Sequence, residues 1–226
     1  MVRQIVAEDE GRPVKVTAGS ATLDGNLAIP DGASGLVLFA HGSGSSRFSP
    51  RNRMVAGVLR EGGLATLLID LLTAQEEEVD LRTRHLRFDI DLLAQRLVGA
   101  TDWLKQNPAT RNLAIGYFGS STGAAAALIA AVCRPDSVAA IVSRGGRPDL
   151  ADKFLPQVQA PTLLIVGGFD DAVLDLNRRA FSLLAAEKEM QIIPGATHLF
   201  EERGALEEVA RLATEWFLRH LPSGVP

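Results

Sequence analysis

Six short apolar runs, separated by amphipathic segments, limit the fold of this chain more than any other property: residues 36–40, 64–69, 113–118, 138–142, 162–166 and 190–193. Strands buried on both faces have this composition, because helices cover each side of a parallel sheet. The intervening segments read as helices. Residues 50–60 follow Ser49, and Ser at the N-cap with Pro at the first helical position is a start signal. Residues 84–105 carry Leu86, Ile90, Leu93, Leu97 and Ala100 at spacings of three or four, which makes one apolar helical face. Residues 172–186 and 202–220 follow the same pattern. Ahead of them, residues 14–17 alternate with period two and 21–29 follow Gly19-Ser20, which reads as two short strands. The expectation is an α/β fold: a doubly wound, mostly parallel sheet with antiparallel N-terminal strands.

Bulk properties narrow the class. The 226 residues, 46% hydrophobic and 22% charged, suit one domain spanning 1–226. A net charge of -4 gives no electrostatic basis for nucleic-acid or anionic-membrane binding, so neither is expected as a partner. The acidic triplet at 76–78 reads as a solvated loop. Residues 1–30 hold no signal-peptide core, and no stretch reaches the roughly 18 apolar residues of a membrane span. Cys133 is the single cysteine and ends an apolar stretch, where it reads as buried and structural. The reading is a cytoplasmic protein, monomer or homodimer, acting on a small molecule. Residues 143–160 are too short to hold a lid domain, which favours an open, shallow pocket.

The chemistry centres on Gly119-Ser120-Ser121-Thr122-Gly123, set between an apolar run and an Ala-rich segment. Strand, Gly-x-Ser-x-Gly, helix is the form of a nucleophile elbow, in which a sharp turn lifts the central hydroxyl clear of the sheet. Ser121 is therefore the candidate nucleophile; the competing reading is a tight turn with Ser near a helix N-cap. A serine needs a general base, and imidazole suits neutral pH. Of four histidines, His41 and His198 follow apolar runs and so lie at the carboxyl edge of the sheet, where sites form. His198 is the candidate base. His41 precedes Gly42-Ser43-Gly44 and suits a support for an oxyanion loop. The loop after residues 162–166 supplies Asp170 as the orienting carboxylate, with Asp171 the fallback (and its plausible role a helix N-cap) and Asp149 an outside candidate. Backbone N–H groups of Ser43 and Thr122 are the expected oxyanion donors. A phosphate loop at Gly42-x-Gly44 competes, but Arg47 stands where a dinucleotide fingerprint needs its third Gly, and no Gly-Lys-Ser/Thr occurs. Arg47, Arg51 and Arg144 fall in predicted loops near the site and are candidates for binding an acidic substrate group. No cofactor and no metal are expected.

His41-Gly42-Ser43-Gly44, Gly119-x-Ser121-x-Gly123, Gly168-x-Asp170-x-x-Val173 and Gly195-Ala196-Thr197-His198 together resemble the α/β-hydrolase superfamily. Compact length and the missing lid are most similar to its dienelactone hydrolase-like branch. The resemblance covers nearly the whole chain from about Gly35. It implies an α/β-hydrolase fold without a lid domain, the triad Ser121, Asp170 and His198 in that order, and oxyanion donors at Ser43 and Thr122. One departure stands out: dienelactone hydrolase itself uses a Cys nucleophile, and here the elbow holds Ser121. The implied activity is hydrolysis of a small ester, thioester or lactone through an acyl-enzyme. The alternatives are a hydrolase-fold protein that binds without turnover, and perhydrolysis or carbon–carbon cleavage on the same triad.

Overall fold

The computed structural model describes residues 11–221. A hairpin of β1 (Arg12–Ala18) and β2 (Ala21–Ala28) opens it. Then come β3 (Leu36–Ala40), α1 (Pro50–Glu61), β4 (Ala65–Ile69), α2 (Ala74–Thr83), α3 (Ile90–Gln106), β5 (Ile115–Ser120) and α4 (Thr122–Cys133). The chain ends with β6 (Val138–Arg144), β7 (Thr162–Gly167), α5 (Asp171–Leu183), β8 (Lys188–Ile193) and α6 (Ala205–His220). Eight strands form one sheet in the order β1-β2-β4-β3-β5-β6-β7-β8. β2 runs antiparallel to both β1 and β4, and every pairing from β4 to β8 is parallel. All six apolar runs are strands, and β3, β4, β5 and β7 are buried at every residue.

Two apolar cores flank this sheet. Val55, Ala56 and Leu59 of α1 pack with Val209, Ala213 and Phe217 of α6 on one face. Leu93, Leu97 and Leu104 of α3 and the alanines of α4 fill the other. Each fully buried Leu or Phe contributes roughly 1.5–3 kcal/mol relative to exposure, so it is these two layers that hold the sheet edge in place.

Three expectations need correction. Residues 84–105 are not one helix: Arg84 takes a left-handed conformation (φ 57°), a 3-10 turn covers Leu86–Phe88, and Asp89 caps α3 by accepting the Leu92 N–H at 3.0 Å. A local side-chain cap outcompetes continuous helix there. The triplet 76–78 is helical, because Thr73 and Glu76 form a reciprocal capping box at the start of α2. Cys133 is exposed, since α4 leaves the core at its last turn.

Candidate active site

Sterics build the elbow. Ser121 adopts φ 50°, ψ -122°, a region that ordinary residues avoid and that costs of order 1–3 kcal/mol. Its N–H donates to the Arg144 carbonyl at 3.3 Å, and its carbonyl accepts from Arg147 N–H at 3.0 Å, so β6 and the loop after it hold the strained turn. α4 begins at the next residue and crosses close over β3. A Cβ on Gly123 would lie 2.5 Å from the His41 carbonyl oxygen, so that position admits only glycine.

Acid and base come from neighbouring strand ends. Backbone bonds from Gly168 N–H to the Ile193 carbonyl (2.8 Å) and from Phe169 N–H to the Ala196 carbonyl (2.9 Å) stitch the loops after β7 and β8 together. His198 Nδ1 meets Asp170 Oδ2 at 2.7 Å, with Asp170 largely buried and the imidazole partly open to solvent. A carboxylate accepts, so Nδ1 carries the proton and Nε2 keeps its lone pair. Asp170 also occupies the N-cap position of α5 but makes no side-chain cap bond, and Asp171 is the first helical residue. The expectation that Asp171 caps α5 is thus corrected: Asp170 holds the cap position while its carboxylate serves His198. Asp149 pairs instead with Arg147. Among the described residues no hydrogen bond joins Ser121 Oγ to the imidazole, a contact that commonly tightens only around bound substrate.

The loop after β3 is locked by His41. Its Nε2 accepts the Leu71 N–H at 3.1 Å, which places the proton on Nδ1, and Nδ1 donates to the Gly42 carbonyl at 2.9 Å. Burial holds this imidazole below its ordinary value, so it is neutral and has both nitrogens committed. Gly42 lies against Ser121, where a Cβ would sit 3.0 Å from Ser121 Cβ, while Gly44 turns the loop with φ 71°. The two expected donors are brought together with one qualification: Ser43 N–H donates to Thr122 Oγ1 at 2.9 Å. That hydroxyl occupies the N–H and fixes its direction.

The three arginines separate. Arg47 donates to Asp70 through its backbone N–H and guanidinium and to Asn26 through Nε, so it braces the loop and is not free for substrate. Arg51 is not in a loop but in the first turn of α1, and it meets Glu201 at 3.0 Å. Arg144 is not in a loop but is the last residue of β6, and it is buried. Sequence reasoning passed over Asn52, whose buried side chain takes hydrogen bonds from both Ser120 Oγ (3.1 Å) and Arg144 Nη2 (3.2 Å). A polar residue in the first turn of a helix gives no signal of that role.

Relatives agree with this architecture. The chain is 64% identical to a protein of Anabaena variabilis ATCC 29413 whose crystal structure is described as a dienelactone hydrolase; the match has a TM-score of 0.92 and covers 94% of this chain and 99% of that one. Est1E from Butyrivibrio proteoclasticus shares the fold at 17% identity, with a TM-score of 0.77 and coverage of 92% and 98%. A protein of Mycobacterium tuberculosis (strain H37Rv), provisionally named a phosphoribosyl transferase, is 55% identical over 215 residues. That alignment takes in 93% of this chain but 48% of the mycobacterial protein, so the chain spans about half the length of the curated relatives it matches at this level. The model of the dienelactone hydrolase family matches residues 23–221. With the ordered motifs, the parallel sheet and this match in agreement, the chain belongs to the dienelactone hydrolase family.

Proposed function

We propose that this protein is a serine hydrolase that cleaves a small ester, thioester or lactone. The observation that carries the reading is the strained Ser121 at the end of β5, with the Asp170–His198 pair at the ends of β7 and β8. Ser121 Oγ attacks the acyl carbon while His198 Nε2 takes its proton. The carbonyl oxygen becomes an oxyanion, and the N–H groups of Thr122 and Ser43 receive it, each such donor being worth about 10²–10³ in rate. The bond to the leaving oxygen or sulfur then breaks as His198 returns the proton to it. Water, deprotonated by the same imidazole, attacks the acyl-enzyme and frees Ser121 with the carboxylic acid as product. Asp170 keeps the ring in the required tautomer and offsets its transient charge.

The dienelactone hydrolase name of the Anabaena relative supports an ester or lactone substrate. The transferase name of the mycobacterial relative belongs to a protein about twice as long as the aligned part, and we carry no transferase step over. A fluorophosphonate probe labels Ser121 in the wild type, and Ser121→Ala lowers acetyl-ester kcat by at least about 10⁴-fold. Full activity in that variant overturns the assignment. Silence toward a broad short-chain ester panel, without labelling, favours a binding protein on the same fold.

A further inference from the structure

Asn177 is a fully buried amide in the second turn of α5. Its Nδ2 donates in two directions, to the Val173 carbonyl at 2.8 Å inside the helix and to the Gly146 carbonyl at 3.0 Å outside it. Its Oδ1 is buried and has no hydrogen-bond partner among the described residues. A half-satisfied amide is a costly way to fill an interior position, because a lone buried acceptor has lost its water. Leucine has the same branching without that cost. What leucine lacks is a donor for Gly146, so the specific contribution of this side chain lies in that one bond.

Gly146 is the centre of a turn that touches every member of the candidate triad. Ser121 N–H donates to the Arg144 carbonyl at 3.3 Å, and Arg147 N–H donates to the Ser121 carbonyl at 3.0 Å, so the elbow grips the turn 145–147 from both ends. Gly145 turns with φ 51°, and its N–H donates to the Ile165 carbonyl of β7 at 2.8 Å. It also lies against the base: a Cβ there would sit 3.2 Å from the His198 carbonyl oxygen and 3.5 Å from His198 Nδ1. Gly146 itself is packed tightly, since a Cβ would overlap Ser143 Oγ and meet Ala124 Cβ at 2.7 Å.

The helix that sends Asn177 into this turn is the one that starts at Asp170, the partner of His198 at 2.7 Å. The apolar cluster under the first half of α5 is small, Val166 with Val173 and Leu174. Such a cluster resists separation but has no direction, whereas a hydrogen bond to a fixed carbonyl also sets how far the helix slides and turns. We propose that Asn177 is a positioning residue: through Gly146 it sets the spacing between Ser121 and the Asp170–His198 pair. Its effect on turnover rests on the Ser121 reading; its effect on the pair does not.

Two variants of the full chain test this. Asn177→Leu removes both bonds. Asn177→Ser keeps a hydroxyl that can return to the Val173 carbonyl four residues back but is too short for Gly146, and it provides a folded protein where leucine is not accommodated. Far-UV circular dichroism and the urea midpoint report folding. Long-range proton–nitrogen NMR correlations of the imidazoles, recorded where the rings are neutral and assigned with His198→Gln, report the tautomer of His198. The wild type is expected to show the Nδ1–H form, and the variants nitrogen shifts averaged toward those of a free imidazole. For acetyl esters, kcat is expected to fall at least about tenfold with KM within about twofold, and fluorophosphonate labelling to slow in proportion. Unaltered His198 shifts in the folded variants overturn the proposal, as does a change in the urea midpoint with kcat preserved, which marks a purely structural amide. A wild type that neither hydrolyses esters nor takes the probe, but whose His198 shifts move in the variants, overturns the Ser121 reading and leaves Asn177 holding the pair.

Discussion

His41 shows how one buried side chain can fix the shape of a whole loop. Its two ring nitrogens are spent on Leu71 N–H and the Gly42 carbonyl, and accepting the Leu71 N–H at Nε2 requires the neutral ring. Burial lowers its pKa from the ordinary value of 6.5, with the Gly42 bond and the carboxylates of Asp70 and Glu77 opposing. Below pH 6.5 the unfolded chain therefore binds a proton that the folded chain refuses, so stability falls as pH falls. The contribution is intact above 6.5 and is lost progressively toward the folded pKa, at up to about 1.4 kcal/mol per pH unit. Urea unfolding followed from pH 7.5 to 5 is expected to show this slope in the wild type and a shallower one in His41→Gln. Identical slopes mean that His41 does not control acid sensitivity.

At the scale of elements, the segment from α2 to the start of α3 has the most to explain. Asp80, at 1% side-chain exposure, accepts the Arg87 backbone N–H at 3.1 Å and pairs with its guanidinium. Arg87 in turn lies against Gly44 of the oxyanion loop, where Nη1 would be 3.1 Å from a Cβ. Asp80→Asn removes the carboxylate that compensates the partly buried Arg87 guanidinium, and a lower urea midpoint is expected. Unchanged stability removes this pair from the supports of the loop. The same segment shows why some of the fold was unreadable in the sequence. β3 to β7 were legible because strands covered on both sides are almost wholly apolar. α2 presents mostly polar residues, and its start depends on a Thr73–Glu76 cap whose effect only geometry reveals. The placement of Ser121, Asp170 and His198 after strands was legible because β5 and β7 are buried runs and β8 carries a short apolar stretch at its end. Arg144 was misplaced because a charged residue after an apolar run reads as solvated, whereas here β6 carries it inward under the elbow.

At the scale of the whole molecule, the loop between β6 and β7 holds only two 3-10 turns, Pro148–Ala151 and Leu155–Gln157, packed against α4 and α5. Among the described residues no lid stands over Ser121 from that side. Long acyl chains thus gain little burial, and each CH₂ left in water forgoes about 0.8 kcal/mol. With 4-nitrophenyl esters, kcat/KM is expected to peak at two to four acyl carbons, a short-chain limit set by this absent cover. A rise continuing to about ten carbons contradicts the open pocket.

The order of the sheet has a consequence for how activity is acquired during folding. Ser121 rides on β5, whereas Asp170 and His198 ride on β7 and β8, and β6 must lie between the two groups. None of these pairings is local: each parallel neighbour waits for a crossover of many residues, whose closure entropy is spent before the contacts repay it. The N-terminal hairpin can form early, but it brings no reacting group near another. Assembly of these three side chains is therefore a property of the completed sheet, and if the proposed function holds, ester hydrolysis is expected to return during refolding only once β6, β7 and β8 are in place.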